Sequence, residues 1–442
     1  MDYPAWYVPF ITAPMLIPLV AIPHVIVAQF AVGGGFVLAD LVRRAYRDRS
    51  QGLLDYLKGL ARIFTLVTIV FGAVTGVGIW WTIGLASPET TSALIHIFVF
   101  GWAAEWAVFV LEIASAFAFY YLWDRLSARE HIAVGWTYAI SAWVSLVLIT
   151  GITAFMLTSG SWSPARGFFV AFFNPSFLPQ VLLRTGGSLA LAALGIGLHA
   201  SFQHAGLLAK DRLIRWISQW ALAGMALIIA GGLWYLAVMP EHAKLNMVRA
   251  PILVTMLALN FAVTLVVVAA LALGHVVGSR WITPPSAILL LLAGALAVAT
   301  GEFVREGTRK PYHIEGYIFA PGVRVKDVDS FHREGLIAHA RWLRFYLSAH
   351  LTKGARSNLN VLPIDAKAKV GEGIFRYHCA SCHAVSGYNG MRPLIQPWTA
   401  QLIRDALRNL HRTNPAMPPW LGNEAERQAL AAYLVRLSRE GK

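Results

Sequence analysis

Long apolar runs follow one another through residues 13–304 and are separated by short polar segments. A helix needs about 20 apolar residues to cross the hydrocarbon core of a bilayer, and eight of these runs reach that length. We therefore predict an all-α fold in which this part of the chain is an eight-helix transmembrane bundle. The helices are expected over approximately 13–41, 59–86, 93–122, 133–158, 180–208, 215–240, 248–275 and 283–304.

The composition of the chain favours a membrane protein. Hydrophobic residues make up 57% of it and charged residues only 14%, and the mean hydropathy is +0.56. A hydrophobic soluble helical bundle is the alternative, but eight consecutive runs of spanning length argue against it. Membrane lipid is therefore the first partner that the sequence predicts.

The distribution of charge predicts an orientation. The connections after the odd-numbered helices hold twelve Lys or Arg residues, and those after the even-numbered helices hold three. By the positive-inside rule the first set is cytoplasmic. We therefore predict a multi-pass protein of the bacterial inner membrane with both termini on the periplasmic side. The net charge of +14 does not predict a nucleic-acid partner, since much of it is loop charge that sets topology.

The only two cysteines, Cys379 and Cys382, are followed directly by His383 in a C-x-x-C-H motif. This is the attachment signature of one covalent haem c: the thiols form thioethers to the haem, and the histidine binds the iron. A disulfide or a metal-binding pair is the alternative, although no further cysteine is present to complete a zinc site. Because haem is attached to c-type cytochromes on the periplasmic side in bacteria, the motif agrees with the predicted orientation.

A second iron ligand is expected downstream of the motif. Met417 lies in the segment NPAMPPW, where the prolines would hold an extended loop against the haem face. Core filling is the ordinary alternative for a lone methionine. Around Met417 and the haem motif, about the last eighty residues resemble a class I cytochrome c. The resemblance implies a small helical domain over 366–442, joined to a membrane domain over 1–304 by a connector over 305–365.

The connector carries the segment DSFHREGLIAHARWLRFYLSAHLTKG, in which apolar residues recur at helical spacing. We expect an amphipathic helix that lies on the periplasmic membrane surface or packs against the haem domain. Its histidines His332, His339 and His350 are interpreted as interfacial polar residues, with ligation of a second haem as the alternative.

Ionisable residues inside the predicted spans are costly to bury and indicate function. A cluster on the predicted periplasmic side could surround a haem that exchanges electrons with the haem domain. For any one residue, a hydrogen-bonded core position is the alternative. The ionisable residues in or at the ends of the spans are His24, Glu105, Glu112, His199, His204, Glu302 and Glu306. His24, Glu105 and Glu306 fall on the periplasmic side, and Glu112, His199 and His204 lie deeper, towards the cytoplasm.

Four segments resemble subunit I of cytochrome bd quinol oxidases: GAVTGVGIWWTIG, FVLEIASAFAFYYLWDRLS, FFNPSFLPQVLLRT and EFVREGTRKPY. The resemblance implies one or two non-covalent b- or d-type haems in the membrane domain. It places His24 and Glu306 at the positions of the iron ligands of two high-spin haems. It gives Glu112 a haem-pocket or proton-delivery role, and the same role to Glu105, which lies one residue out of step.

The chain departs from that family at the low-spin haem and at the quinol site. Arg184 stands where the family has a histidine ligand, and the methionine partner falls near Pro251. Met256, His199 or His204 could supply replacement ligands, and this remains open. The long quinol-binding loop shrinks to residues 240–249, and the family's ninth helix is absent.

These features predict a membrane-bound cytochrome that passes electrons between a periplasmic redox partner and membrane haem through haem c. It would be a bd-like oxidoreductase or electron-transfer subunit without the quinol loop, working with other membrane subunits in a respiratory chain. One alternative is a cytochrome c-linked terminal oxidase that reduces oxygen. The other is a haem-free membrane anchor for the haem domain.

Overall fold

The computed structural model describes residues 6–203, 207–277, 279, 282–350 and 359–440. Within these residues, eight helices are long and apolar enough to cross a membrane, which confirms the predicted number. His204 lies outside the described residues. The helices are α1 (Ala13–Arg47), α2 (Gln51–Ala86), α3 (Val99–Tyr121), α4 (Ala128–Ala154), α5 (Phe177–Ser201), α6 (Lys210–Val238), α7 (Pro251–Val277) and α8 (Pro284–Thr308).

Several helices extend beyond the predicted apolar runs. Helix α1 continues to Arg47, and its last turns carry Asp40, which accepts hydrogen bonds from Arg43 and Arg44 at 2.6 and 2.8 Å. Helix α2 starts at Gln51 with an amphipathic stretch that buries its apolar face, and it has a π-helical segment at Leu66–Phe71. Polar helix ends of this kind extend a helix without extending its hydrophobic run. Short helices occupy three of the connections: Pro88–Ile97, Gly167–Phe172 and Glu241–Arg249.

Close helix crossings in the bundle depend on glycine. A Cβ added at Gly33 of α1 would lie 1.9 Å from the carbonyl oxygen of Ser188 on α5. A Cβ at Gly186 of α5 would lie 2.3 Å from the carbonyl oxygen of Gly224 on α6. Small residues let helix backbones approach within a membrane, where hydrophobic burial gives little driving force. Helix α5 is accordingly the most enclosed of the eight.

The chain divides into two compact units. One, the bundle unit, comprises Ala21–Gly78 and Ile97–Gly307. The other, the C-terminal unit, comprises Met1–Val20, Ile79–His96 and Thr308–Lys442. Each has its own hydrophobic core among the described residues.

Short elements build most of the C-terminal unit. After α8 comes a two-stranded antiparallel hairpin that the sequence did not predict, β1 (Tyr312–Ile314) and β2 (Ile318–Phe319). Helix α9 (Ile364–Ile374) continues as a π-helical turn, Phe375–Cys379, and α10 (Ala400–Arg408) and α11 (Glu424–Arg439) follow. The remaining short helices are Val328–Glu334, Leu336–His339, Arg341–His350, Met391–Ile395 and Leu410–Thr413.

The predicted single amphipathic helix of the connector is three short helices instead. Gly335 breaks it with a φ of 90°, a conformation that only glycine adopts readily. The carboxylate of Glu426 on α11 accepts hydrogen bonds from the backbone N–H groups of Leu336 and Ile337, each at 2.8 Å. Burial raises the pKa of Glu426, and these N–H donors oppose the rise. The connector thus packs into the core of the C-terminal unit, with Leu343 fully buried there.

Helices α9 and α11 form the centre of that core. A Cβ added at Gly371 would lie 2.1 Å from the carbonyl oxygen of Ala429, so the two backbones touch at this glycine. Ile374, Phe375 and Leu430 are fully buried around the crossing. The crossing fixes α9, and α9 leads directly into the C-x-x-C-H motif.

Candidate haem sites

The C-x-x-C-H motif begins at the end of the π-helical turn that follows α9. The backbone N–H groups of Cys382 and His383 both donate to the carbonyl oxygen of Cys379, at 3.0 and 2.8 Å. The motif is therefore one tight turn that carries both thiols and the imidazole. The thiols are not bonded to each other, and burial, with a smaller effect of the neighbouring Cys382, raises the pKa of Cys379 to about 12.

His383 is oriented by a backbone carbonyl. Its Nδ1 lies 3.2 Å from the carbonyl oxygen of Asn389, which can only accept, so Nδ1 carries the proton. The side chain of Asn389 in turn donates to the carbonyl oxygen of Cys382 at 2.7 Å. This leaves Nε2 of His383 with its lone pair for iron, the arrangement that ligating histidines use. The motif residues therefore fit a covalently attached haem.

Met417 lies in a loop held at both sides. Its backbone N–H donates to the carbonyl oxygen of Asn414 at 2.9 Å. Its own carbonyl oxygen accepts from Nδ1 of His411 at 3.1 Å. The flanking prolines restrict φ on either side. A half-buried thioether on such a loop suits the predicted role of second iron ligand, and the assignment of Met417 remains a prediction.

A buried histidine that the sequence analysis did not single out precedes the motif. The ring of His378 packs edge-on against Trp420, with centroids 5.4 Å apart. Burial lowers the pKa of His378 to about 4, so the ring is neutral at ordinary pH. Nε2 of His332 in the connector donates to the carbonyl oxygen of Trp420 at 2.6 Å. Connector and haem motif therefore share Trp420 as a neighbour.

In the bundle unit, His24 of α1 is held by α2. Its Nδ1 lies 3.0 Å from Oγ1 of Thr75, and that hydroxyl donates to the carbonyl oxygen of Phe71 at 2.7 Å. The hydroxyl proton is thus engaged, so Nδ1 of His24 is the donor and Nε2 keeps its lone pair. A Cβ at Gly76 would lie 3.1 Å from Cε1 of the ring, so glycine keeps this side open. The imidazole fits an iron ligand, which remains a prediction.

The two acidic residues of α3, Glu105 and Glu112, are close enough for their charges to interact. Oε1 of Glu105 accepts a hydrogen bond from Oγ of Ser145 on α4 at 3.1 Å. Glu112 interacts electrostatically with Glu105 and with Tyr138 of α4. Both carboxyl groups are predicted from the sequence, whereas Ser145 and Tyr138 become their neighbours only through folding.

Glu306 belongs to a charged cluster on α8. Glu302 and Arg305 form an ion pair at 2.8 Å, and both interact electrostatically with Glu306. Arg184 of α5 interacts with Glu302 and Arg305 in turn. Arg184, which the resemblance predicts at the position of a low-spin haem ligand, is therefore part of an ionic cluster.

The other histidines that the sequence analysis named are hydrogen-bonded. Nδ1 of His199 lies 3.0 Å from the hydroxyl of Tyr56. Nε2 of His339 lies 3.1 Å from Oγ of Ser330, and Nδ1 of His350 lies 2.7 Å from the carbonyl oxygen of Tyr346. Met256 is half-buried on α7. Whether Met256, His199 or His204 replaces a haem ligand remains an open prediction.

Comparison with known proteins assigns the bundle and the haem motif to families. Residues 14–245 match cytochrome bd terminal oxidase subunit I, and residues 366–434 match the family described as cytochrome C oxidase, cbb3-type, subunit III. The first match covers more than half of the chain, so the chain belongs to the cytochrome bd terminal oxidase subunit I family. No curated protein matches the chain.

A solved structure has the same fold. The bd oxidase from Geobacillus thermodenitrificans has a TM-score of 0.61 and 16% sequence identity, over 69% of this chain and 88% of that chain. The predicted all-α architecture, with a bd-type bundle and a cytochrome c domain, is confirmed. The chain is a multi-pass membrane protein with haem-binding cytochrome domains, which makes it an oxidoreductase or electron-transfer protein.

Proposed function

We propose that this protein transfers electrons between a soluble periplasmic redox protein and haem in the membrane domain. Bound haem iron supplies one-electron redox chemistry. Cys379 and Cys382 would attach one haem, with His383 and Met417 on its iron. His24 and Glu306 would bind iron in the bundle, where one or two b- or d-type haems are expected.

The observation that carries the proposal is that His24 and His383 have the same hydrogen-bonding arrangement. Each ring has Nδ1 engaged as a donor, by Thr75 in one case and Asn389 in the other. Each therefore presents Nε2 as a metal ligand, and the partner on Nδ1 raises its basicity. A haem-free anchor has no need of this arrangement at His24, so the alternative anchor function is disfavoured.

Two features support a soluble donor or acceptor over a quinol. Arg184 lies in an ionic cluster with Glu302 and Arg305 at the position expected for the low-spin haem. Residues 240–249 hold the nine-residue helix Glu241–Arg249 and no longer loop that could form a quinol pocket. Electrons would then enter or leave through the haem at His383.

The orientation is proposed from loop charge. Twelve basic residues on one set of connections against three on the other support a periplasmic location for both termini and the haem motif. A reporter that is active only in the cytoplasm, fused after Lys442, is expected to be silent. A bright reporter would contradict the orientation.

Reduction of oxygen at the membrane haem is a second candidate function. The pairing of Glu105 with Ser145, and the proximity of Glu112 to Glu105, favour it because oxygen reduction consumes protons. Carboxyl groups in this arrangement can hold and pass protons. Oxygen uptake by the purified protein, with a reduced small cytochrome as donor, tests this candidate and should fall in Glu112→Gln.

Stopped-flow kinetics test the principal proposal. Haem c is expected to exchange electrons rapidly with a small periplasmic cytochrome and slowly with a quinol analogue. From Gly301 onward the chain has 21 basic and 12 acidic residues, a net charge of +9. If this charge guides docking, the rate should fall with salt, since the screening length shortens to about 3 Å at 1 M. Fast reduction of membrane haem by quinol in Cys382→Ala would contradict the proposal.

A further inference from the structure

Residues 6–11, which we call the N-terminal strap, bind the loop that follows the haem motif. The carbonyl oxygen of Pro9 accepts hydrogen bonds from the backbone N–H groups of Val385 and Ser386, at 2.9 and 2.8 Å. The hydroxyl of Ser386 also lies within 3.4 Å of the same oxygen. These donors are only two and three residues beyond His383, so the strap is attached directly beside the haem motif.

A second attachment is aromatic. The guanidinium of Arg376 lies 4.9 Å from the centre of the Tyr7 ring, within the range of a cation–π interaction. Arg376 is fixed by an ion pair with Glu372 at 2.6 Å. Tyr7 also packs against the hydrophobic core of the C-terminal unit. Because Arg376 lies on the π-helical turn before Cys379, the strap contacts the chain on both sides of the C-x-x-C-H motif.

Gly387 permits the close approach of strap and loop. Its φ is +79°, and a Cβ at this position would lie 2.5 Å from the carbonyl oxygen of Phe10. Both the backbone conformation and the space therefore require glycine. Gly316, in the same unit, has a similar φ of +64° but open space around its Cβ position. Gly316→Ala is therefore a control: it places a side chain on a backbone with positive φ but causes no clash.

The strap continues into the spanning helices. The backbone N–H of Trp6 donates to the carbonyl oxygen of Leu85, near the end of α2, at 2.8 Å. Residue 11 is two residues from the start of α1. The strap thus joins the haem loop to α1 through the chain and to α2 through a hydrogen bond.

We propose that the N-terminal strap is a positioning element that ties the loop beside the haem c motif to the start of α1 and the end of α2. The same loop carries Asn389, whose carbonyl oxygen orients the His383 ring. By holding this loop, the strap would fix the histidine that binds the haem c iron. The ligand-positioning part of this inference rests on the proposed binding of haem c at His383, whereas the attachment of the strap rests on the contacts alone.

Amide hydrogen exchange in the full-length protein tests whether the strap binds the loop that follows the haem motif. Tyr7→Ala removes the cation–π contact and should speed exchange at Val385 and Ser386 roughly two- to thirtyfold. Gly387→Ala should speed it at least as much, because the strap cannot close over the added Cβ. Tyr7→Phe and Gly316→Ala are the matched controls and should exchange like the wild type. Equal exchange at these amides in all five proteins would overturn the inference.

The reduction potential of haem c tests the positioning role. It should shift in Gly387→Ala, because the loop that orients His383 is displaced, and should stay at the wild-type value in Gly316→Ala. Faster amide exchange with an unchanged potential would overturn the positioning role. Absence of membrane haem from the wild type would instead overturn the proposed function, and amide exchange would still decide whether the strap binds.

Discussion

The two candidate haem regions reach the same chemical arrangement by different routes. In the C-terminal unit, His383 and its partner Asn389 are six residues apart on one loop. In the bundle unit, His24 and its partner Thr75 are 51 residues apart and lie on different helices. A local site needs one tight turn, whereas the bundle site exists only when α1 and α2 are packed. The second site should therefore depend far more on helix packing.

The two units also differ in how they hold charge. Glu372 of the C-terminal unit accepts from Lys369 and Arg376 at 2.8 and 2.6 Å, and the side chains of these two cations are 34% and 32% exposed. In the bundle, Glu302 pairs with Arg305 at 2.8 Å and interacts electrostatically with Arg184 within a span. Water can solvate a cation that loses its partner in the C-terminal unit, so that loss costs little, whereas a cation left unpaired within a bilayer has no such solvent.

Glu302→Gln should give the largest loss of stability. It leaves Arg184 and Arg305 without their shared carboxylate in the bundle, at a cost of about 3–5 kcal/mol. Thermal unfolding in detergent, followed by circular dichroism, measures the effect. Glu372→Gln is the matched control in the C-terminal unit and should cost about 1 kcal/mol or less. Equal losses in the two variants would contradict the contrast between the units.

Each unit contains a helix crossing at which a glycine contacts the backbone of the other helix. Substitutions at these two glycines should give the next largest losses of stability. Gly33→Ala and Gly371→Ala each force a Cβ onto a backbone carbonyl, which should cost about 1–3 kcal/mol through overpacking. Only Gly33→Ala should also lower the membrane haem content, since it disturbs α1. Gly52→Ala and Gly59→Ala, in helical positions with open space, are controls and should be neutral or stabilising by up to about 1 kcal/mol. Loss of membrane haem in Gly371→Ala would contradict the expectation that only the bundle crossing affects the membrane haem site.

The smallest effect is a pH dependence in the C-terminal unit. Burial opposes ionisation of Glu372, but hydrogen bonds and charge from Lys369 and Arg376 prevail and hold its pKa below the usual 4.5. Its contribution to stability is therefore present above pH 4.5 and lost as the pH falls through the lower folded-state pKa. About 1 kcal/mol of unfolding free energy should disappear on acidification. Glu372→Gln should remove this component; an unchanged acid profile in that variant would contradict the assignment.

The haem c motif can be read from the sequence because its thiols and histidine lie within five consecutive residues. The eight spanning helices can be read from it as well, because their apolar runs are longer than those of helices in soluble proteins. Thr75 and Asn389 could not be predicted, because a hydroxyl or an amide becomes a partner only through a contact made by folding. A local signal for Asn389 exists, namely its place in a turn between Tyr388 and Gly390, where its φ is +52°.

The connector shows the limit of periodicity. Apolar spacing predicts one helix, but the helix ends early at Gly335. There the carboxylate of Glu426 accepts hydrogen bonds from the next two backbone N–H groups. That carboxylate is 89–90 residues away in sequence, so no local pattern contains the information. The ionic cluster of Arg184 is a similar case. The sequence shows an arginine where the resemblance predicts a histidine, and only the fold brings it into electrostatic interaction with Glu302 and Arg305.

Whether haem is bound in the bundle as well as at the C-x-x-C-H motif is decided by counting haems by type. Acid–acetone extraction removes non-covalent haem and leaves haem c on Cys379 and Cys382. We expect one covalent haem per chain together with one or two extractable haems, and a loss of extractable haem in His24→Ala. His199→Ala, which removes a histidine hydrogen-bonded to Tyr56, is the control and should retain it. Purified wild-type protein with covalent haem alone would contradict the proposal that the bundle binds haem.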